Sequence, residues 1–318
     1  MNSAKTEFVK FVVVGVGATI VNYAVFLLLL YGAGIDYIVA SAAGYLVGVL
    51  VGFTFNKKFT FSSGERALPE LAKYFSIYLI SLFLGLSVLG FLVKHLGIAA
   101  AIANILVIGI TTCTNFLGSK FFTFKKIEFP KIFTTKFFIV ILVMKIIASF
   151  LFASDFLLDG TIPFANYFVT SGFADPYQHF LDIGLVKAFP YSTTMLAVVS
   201  APFFLFSFLP ESIFGNIHFQ MFLARIPLII ADIGIFFILL KLLKTREKDV
   251  LIHYWASPII FYISYFHGQL DAIPTFLLLL SVYLLITEKY LWSGIVLGVS
   301  LAAKANIFVA VPFIFIYL

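Results

Sequence analysis

The chain has 318 residues, 62% hydrophobic and 11% charged, whereas soluble domains run about 45–50% apolar and ~25% charged. So little charge cannot cover a water-soluble fold, and a mean hydropathy of +1.09 with 41 Phe excludes a disordered chain. The single Cys113 leaves no disulfide framework and no Cys-based zinc site.

The net charge of +6 is unevenly placed. Ten Lys/Arg stand against four Asp/Glu over residues 1–126, and eleven against eleven over 127–318. This asymmetry divides the chain into modules 1–126 and 127–318. A helix crosses the hydrocarbon core with about 20 apolar residues, because each rises 1.5 Å and its backbone must satisfy itself. Runs of that kind lie at 11–31, 37–55, 74–93 and 97–117. The expected fold is all-α, a polytopic transmembrane helical bundle. The first run is too long for a cleaved signal peptide and leads straight into the second.

Lys/Arg placement orients the module. Lys5 and Lys10 precede the first run, Lys57, Lys58, Arg66 and Lys73 separate the second from the third, and Lys120, Lys125, Lys126, Lys131 and Lys136 follow the fourth. The other connections hold only Asp36 and Lys94-His95. The N-terminus is therefore expected in the cytoplasm of a multi-pass cell-membrane protein.

Shifted by 63 positions, this module aligns with itself without a gap. Lys10 meets Lys73, Gly34-Ile35 meets Gly97-Ile98, Ala40 meets Ala103, Phe53 meets Phe116, Lys57 meets Lys120 and Phe59-Thr60-Phe61 meets Phe122-Thr123-Phe124. Each unit is two helices, so both units point the same way, unlike inverted transporter repeats. The duplication either encloses a substrate path or only builds a bundle.

The leading Phe8-Val9-Lys10-Phe11, the Val14-Gly15 pair, Asn22 at mid-span and the basic-aromatic exits at 56–61 and 115–124 are distinctive together. Residues 7–126 thereby resemble the GtrA-like family of four-span membrane proteins. The resemblance implies a part in cell-surface polysaccharide synthesis, with movement of polyprenyl-phosphate-linked sugars across the membrane. Lys57, Lys58 and Lys120, beside aromatic rings at headgroup depth, suit a lipid phosphate, or else only orient the helices against anionic lipid. Asn22 and Asn115 either bridge helices or contact a sugar or phosphate. VVVGVGATI, at 12–20, begins like a dinucleotide fingerprint but has Ile20 at the third glycine position. It reads as a small-residue packing face.

The second module starts with a run at 137–152, holding Lys145, which snorkels or finds a partner. The longest polar stretch follows, 153–190, with Asp155, Asp159, Asp175 and Asp182 against one Lys187. Further runs lie at 193–209, 221–240, 250–266, 273–286 and 292–318. Counting spans puts Lys241, Lys244, Arg246 and Lys248 outside, against the charge rule. Either the run 193–209 does not cross fully or this cluster breaks the rule; the first is favoured, since the run is short, with Pro202 inside it and Pro210 directly after it.

The segments 154–169 and 171–177, with Arg225-Ile226-Pro227…Asp232, Ser257-Pro258, His267-Gly268-Gln269-Leu270-Asp271 and Lys304, are similar to the amino-terminal half of GT-C-fold glycosyltransferases. That resemblance implies a polyprenyl-phosphate sugar donor used outside the cytoplasm, with Asp155, then Asp159, as base toward the acceptor hydroxyl. Arg225, His267 and Lys304 would stabilise the leaving phosphate, with Gln269 and Asp271 lining the site. The alternatives are a solvated helix cap for Asp155 and an ion-pair lock for Arg225 and Asp232, seven residues apart on one helix. Asp175-Pro176-Tyr177 reads as a turn, and His179 with Asp182 makes a weak metal pair. No cofactor or metal is assigned, although the carboxylates leave room for a divalent ion. The resembled enzymes have further spans, so the module is expected to be incomplete at Leu318, as a piece of a longer gene product or as a degenerate enzyme half.

The favoured reading joins delivery of a lipid-linked sugar to its consumption outside, with membrane lipid and other glycan-assembly proteins as partners and no nucleic acid. The alternatives are a non-catalytic scaffold or flippase subunit recruiting a separate glycosyltransferase, and a small-solute transporter. The last requires an embedded carboxylate in the first module, whose four runs contain none. A topology reporter fused near Asp175 is expected on the extracytoplasmic side; activity in the cytosol would remove the stage for this chemistry.

Overall fold

Inside a bilayer a backbone finds no water, so its amides and carbonyls must bond within their own segment. The computed structural model describes all residues except 1, 36, 125–129, 186–188, 245 and 318, and among the described residues it is helical without a strand. Asp36, Lys125, Lys126 and Lys187 lie outside the described residues, as does the predicted 126/127 boundary. The chain divides into two compact units, Met1–Glu128 and Phe129–Leu318.

The first unit holds α1 (Asn2–Leu27), α2 (Tyr37–Phe55), α3 (Ala67–Lys94) and α4 (Ala100–Gly118). α1 packs on α2 and α3 on α4. The 63-residue register reappears in the backbone. α2 and α4 start and stop at equivalent positions, and each runs into a π-helical turn, Asn56–Thr60 or Ser119–Thr123. The hairpin turns carry left-handed Gly34 (φ 66°) and Gly97 (φ 64°), a conformation glycine adopts without a Cβ penalty. The amides of Ile35 and Ile98 donate to the carbonyls of Leu29 and Leu92, each at 3.0 Å. One expectation changes. α1 and α3 begin well before the apolar runs at 11 and 74, and so bring Glu7 and Glu70 into the helices.

The second unit starts with α5 (Lys136–Leu151), capped by Thr135 accepting from the Phe138 amide. The stretch read as a polar loop is largely helical: a π-helical turn, Phe156–Thr161, then α6 (Ile162–Thr170) and α7 (Pro176–Asp182). α5 and the segment Phe156–Thr170 meet at 67°. Then come α8 (Thr193–Phe206), α9 (Glu211–Phe214) and α10 (Ile217–Leu242). The 14 residues of α8 reach about 21 Å at 1.5 Å each, short of a ~30 Å hydrocarbon core.

Two runs read as continuous are broken. The run 250–266 divides into α11 (Glu247–Val250) with the π-helical Leu251–Trp255, then α12 (Pro258–Phe261) with Tyr262–His267. Pro258 supplies no amide to continue the first piece. The run 292–318 divides at Lys304, which is extended (φ −153°, ψ 121°) between α14 (Tyr290–Ala303) and a 3-10 turn leading to α15 (Val311–Tyr317). α13 (Ala272–Ile286) packs on α14 and on α10.

α10 is the axis of this unit. Over its most apolar stretch 56% of residues are buried, against 6% for α1 and 17% for α3 and α4. α1, α3 and α4 thus leave most of their surface uncovered by protein, while α10 is largely enclosed by it. Its Asp232 is 1% exposed and accepts from Lys145 (2.7 Å), the Tyr265 hydroxyl (2.6 Å) and the Tyr254 hydroxyl (2.9 Å). Lys145, fully buried, also lies 3.5 Å from the Trp255 ring centroid. Of the two readings for Lys145, the structure gives a partner, Asp232, and the alternative of an Arg225–Asp232 lock gives way to this pair.

Removing one member of a buried ion pair strands the other charge and costs about 3–5 kcal/mol. Asp232→Asn should lower the melting temperature in detergent strongly. Lys145→Met with Asp232→Leu should recover most of that loss, and a double variant no better than the single would refute the pairing.

Candidate functional site

The basic end of the first unit is closed by two ion pairs that cross between the repeat halves. Lys57, from the first half, pairs with Glu70 of the second. Lys120, from the second, pairs with Glu7 of the first at 2.6 Å. The four residues are two sets of repeat mates, so one contact is the pseudo-twofold copy of the other. Lys57 also donates to the Glu65 carbonyl, and Glu70 accepts from the Ser63 hydroxyl. Lys10 and Lys73, again mates, sit 4.7 Å and 5.7 Å from the centroids of Phe59 and Phe122. Lys58 is exposed.

Beneath this latch six rings repeat the symmetry. Phe11–Phe116 and Phe53–Tyr74 are equivalent contacts, both with centroids 5.6 Å apart. Phe61–Phe116 and Phe53–Phe124 form a second equivalent pair, at 6.1 and 6.0 Å. Phe61 and Phe124 stack on each other at 4.9 Å. The paired Phe-Thr-Phe exits thus build one shared aromatic plug.

Next to the plug lies a cavity of about 510 Å³ lined from all four helices, within the roughly 300–1,000 Å³ range of small-molecule sites. Both predicted asparagines, Asn22 and Asn115, line it, together with Asn56, Tyr45, Tyr74 and Tyr78. A hydrogen-bond chain fixes part of the wall. Thr60 donates to Asn56 Oδ1 (2.8 Å), Asn56 Nδ2 to the Tyr74 hydroxyl (3.2 Å), and Tyr74 to the Tyr78 hydroxyl (2.7 Å). Asn22 reaches its place because α2 carries glycine there. A Cβ on Gly44 would stand 2.6 Å from the Asn22 carbonyl oxygen, and one on Gly48 2.9 Å from its Cβ.

In the second unit the structure gathers several predicted residues around the α5 bend. The Ser154 hydroxyl donates to the His267 carbonyl, and the ring centroids of Phe156 and His267 are 6.3 Å apart. Four residues beyond His267, Asp271 pairs with Lys304, whose ammonium lies 5.5 Å from the Tyr191 ring centroid. His267 Nδ1 is buried with no hydrogen-bond partner. Gln269 falls on the same connection, Gly268–Asp271, where Gly268 is left-handed (φ 79°). Asp155 and Asp159 are exposed, and Asp155 makes no capping bond although it precedes a helical turn.

Arg225 is placed differently from the expectation. It is fully buried, and its guanidinium donates to the carbonyls of Ser149 (3.4 Å), Met221 (3.4 Å), Phe152 (2.6 Å) and Phe266 (3.4 Å). These bonds tie the end of α5 to the segment before His267, so the two terminal nitrogens are spent on backbone, while the buried Nε has no hydrogen-bond partner. Asp175 caps α7, accepting from the amides of Tyr177 (2.9 Å) and Gln178 (3.4 Å). His179 stacks on Tyr167 at 3.9 Å while Asp182 accepts from Gln178. Burial, with the Asp175 charge added, pushes the Tyr177 phenol up to about 12. It therefore stays a donor to the Tyr191 carbonyl, at 2.8 Å. Burial and then Asp271 raise the Tyr191 phenol as well.

Sequence reasoning missed Glu7, Glu70, Asn56 and the three tyrosines. The 63-residue register held a signal for the first two, since they are mates of each other and α-helical spacing carries them back from Phe11 and Tyr74. Nothing comparable marked the tyrosines, which look like ordinary interfacial aromatics.

Residues 10–124 match the GtrA/DPMS transmembrane domain. The chain is 31% identical over 120 residues to the "Uncharacterized membrane protein YwcD" of Bacillus subtilis (strain 168), covering 36% of this chain and 94% of that protein. No solved structure matches.

The crossed latch makes a charge test. Lys57→Glu sets two carboxylates together, and the melting temperature in detergent should fall; adding Glu70→Lys should restore it. Equal behaviour of the single and double variants would show that the pair does not hold the halves.

Proposed function

The chain belongs, through residues 10–124, to the GtrA/DPMS transmembrane domain family, and from that premise we propose that it moves or delivers polyprenyl-phosphate-linked sugars and transfers the sugar on the extracytoplasmic face. The coarser part of this reading is a multi-pass membrane protein tied to glycan or polyprenyl-sugar handling. The observation that carries the finer part is the cavity at the repeat interface, with amides and phenols along it and lysines at one end.

A lipid phosphate arriving at the basic end meets Lys58 first, because Lys57 and Lys120 are held by Glu70 and Glu7. Exchange of a carboxylate for a phosphate on either lysine keeps the ammonium paired and releases one link between the halves. The latch then loosens only when an anion is present to replace it. The lysine-rich end is assigned to the cytoplasm by the positive-inside rule.

In the second unit, Asp155 serves as the base. Its carboxylate is exposed at the bend, next to Ser154, which is bonded to the His267 carbonyl. It takes the proton of the acceptor hydroxyl as that oxygen attacks the anomeric carbon and the lipid phosphate departs. Lys304 and His267 supply the cationic and hydrogen-bonding groups toward the leaving phosphate, and Asp271 pairs with Lys304, with Gln269 on the same connection. Arg225 shapes the site by fixing the bend rather than by touching substrate.

Membranes carrying the protein should transfer sugar from a polyprenyl-phosphate donor to an acceptor, and Asp155→Asn should lower the rate by about 10²–10⁴-fold, the usual worth of a general base. Unchanged transfer in that variant would remove Asp155 from the role. Transfer that requires a second, separate enzyme would favour a recruiting scaffold.

A further inference from the structure

The cavity in the first unit is asymmetric in a way that the repeat makes measurable. Five pairs of repeat mates line it with both members: Phe11 and Tyr74, Gly15 and Tyr78, Tyr45 and Ile108, Val49 and Thr112, Gly52 and Asn115. In every pair one mate carries a hydrogen-bonding side chain and the other carries none. A duplication that only built a bundle has no need of this, and one that built two equivalent sites would have kept both mates alike. Four of the five polar mates come from the second half.

The charges point the same way. Among the described residues no Lys, Arg, His, Asp or Glu lines the cavity, although the crossed ion pairs stand at the neighbouring end. A phosphate drawn inside would exchange its water for phenols and amides with no counter-charge, and burying an unpaired charge is far costlier than burying a hydroxyl that finds a partner. Asn115 Oδ1 is buried and has no hydrogen-bond partner. Such an atom forfeits its hydration until a ligand supplies the missing bond. The lining also reaches Asn56, adjacent in sequence to Lys57, so neutral cavity and cationic rim are continuous.

We propose that this cavity holds one uncharged, hydroxyl-bearing ring per chain, in a single orientation set by the polar mates, while the phosphate attached to it stays outside at the lysines. This rests on the lipid-linked-sugar reading for the identity of the carrier, and adds that the sugar alone enters. Asn115 and Tyr78 are the groups that read its hydroxyls.

The test uses the full chain in phosphatidylcholine nanodiscs, with undecaprenyl phosphate either bare or carrying glucose, galactose or mannose. At least one loaded lipid should bind about tenfold tighter than the bare one, the equivalent of one or two added hydrogen bonds, with one ligand per chain. Asn115→Val should erase most of that sugar increment and leave binding of the bare lipid unchanged, which also shows the variant is folded. Tyr78→Phe, which keeps the ring and removes the hydroxyl, should reduce the increment by a smaller factor. An increment untouched in both variants, two equivalent sites per chain, or equal binding of loaded and bare lipid would overturn the proposal alone. Binding of neither lipid would overturn the lipid-linked-sugar reading and this proposal with it.

Discussion

The two hairpins of the first unit are held at one end by charges exchanged between them, and the cavity opens between the same helices beside that exchange. Lys57 does not pair within its own hairpin but with Glu70, and Lys120 reaches back to Glu7. Helices in lipid gain little from burying apolar surface against each other, since the acyl chains are as apolar as the side chains. Most of the surface of α1, α3 and α4 faces outward accordingly. Polar contacts and close packing must fix the arrangement, and the latch with its six-ring plug does so at a single level. Away from that level each hairpin stays closely packed within itself, and the space lies between the two.

The second unit solves the same problem by enclosure. α10 is surrounded by its own chain, and a carboxylate at its middle gathers an ammonium and two phenols. Every acceptor direction of Asp232 that matters is filled, and the ring of Trp255 covers the ammonium. Ionisable residues in spans are commonly functional, but here saturation argues for a structural centre. The exposed Asp155 and the Asp271–Lys304 pair lie toward the bend instead. Arg225 belongs with the structural group, since it stitches the bend together through carbonyls.

Much of this was legible in the sequence, for definable reasons. The helices of the first unit, their turns at Gly34 and Gly97 and the repeat itself follow from apolar length and from spacing at the span ends. Asn22 and Asn115 stood out because amides are rare in apolar helices, and both line the cavity. Glu7 and Glu70 were lost because hydropathy marks where a helix becomes apolar, not where it starts. The breaks at Ser257 and Lys304 were hidden within long hydrophobic runs, where periodicity carries no information about direction. The partner of Asp232 was out of reach, because Lys145 lies 87 positions away and only packing brings them together.

The hairpins have also become complementary rather than identical. In the first, Asn22 of α1 fits the notch left by Gly44 and Gly48 of α2; in the second the sizes are exchanged, and Gly85 of α3 gives way to Val107 and Thr111 of α4. All three pairs of positions are repeat mates. A symmetric dimer of either hairpin alone would therefore double one lining and lack the other: two copies of the first would have no counterpart of Asn115, and two of the second no counterpart of Tyr45. If an ancestor assembled from identical two-helix subunits, fusion into one polypeptide was the step that let its two faces specialise, and the descent is no longer reversible by simple separation.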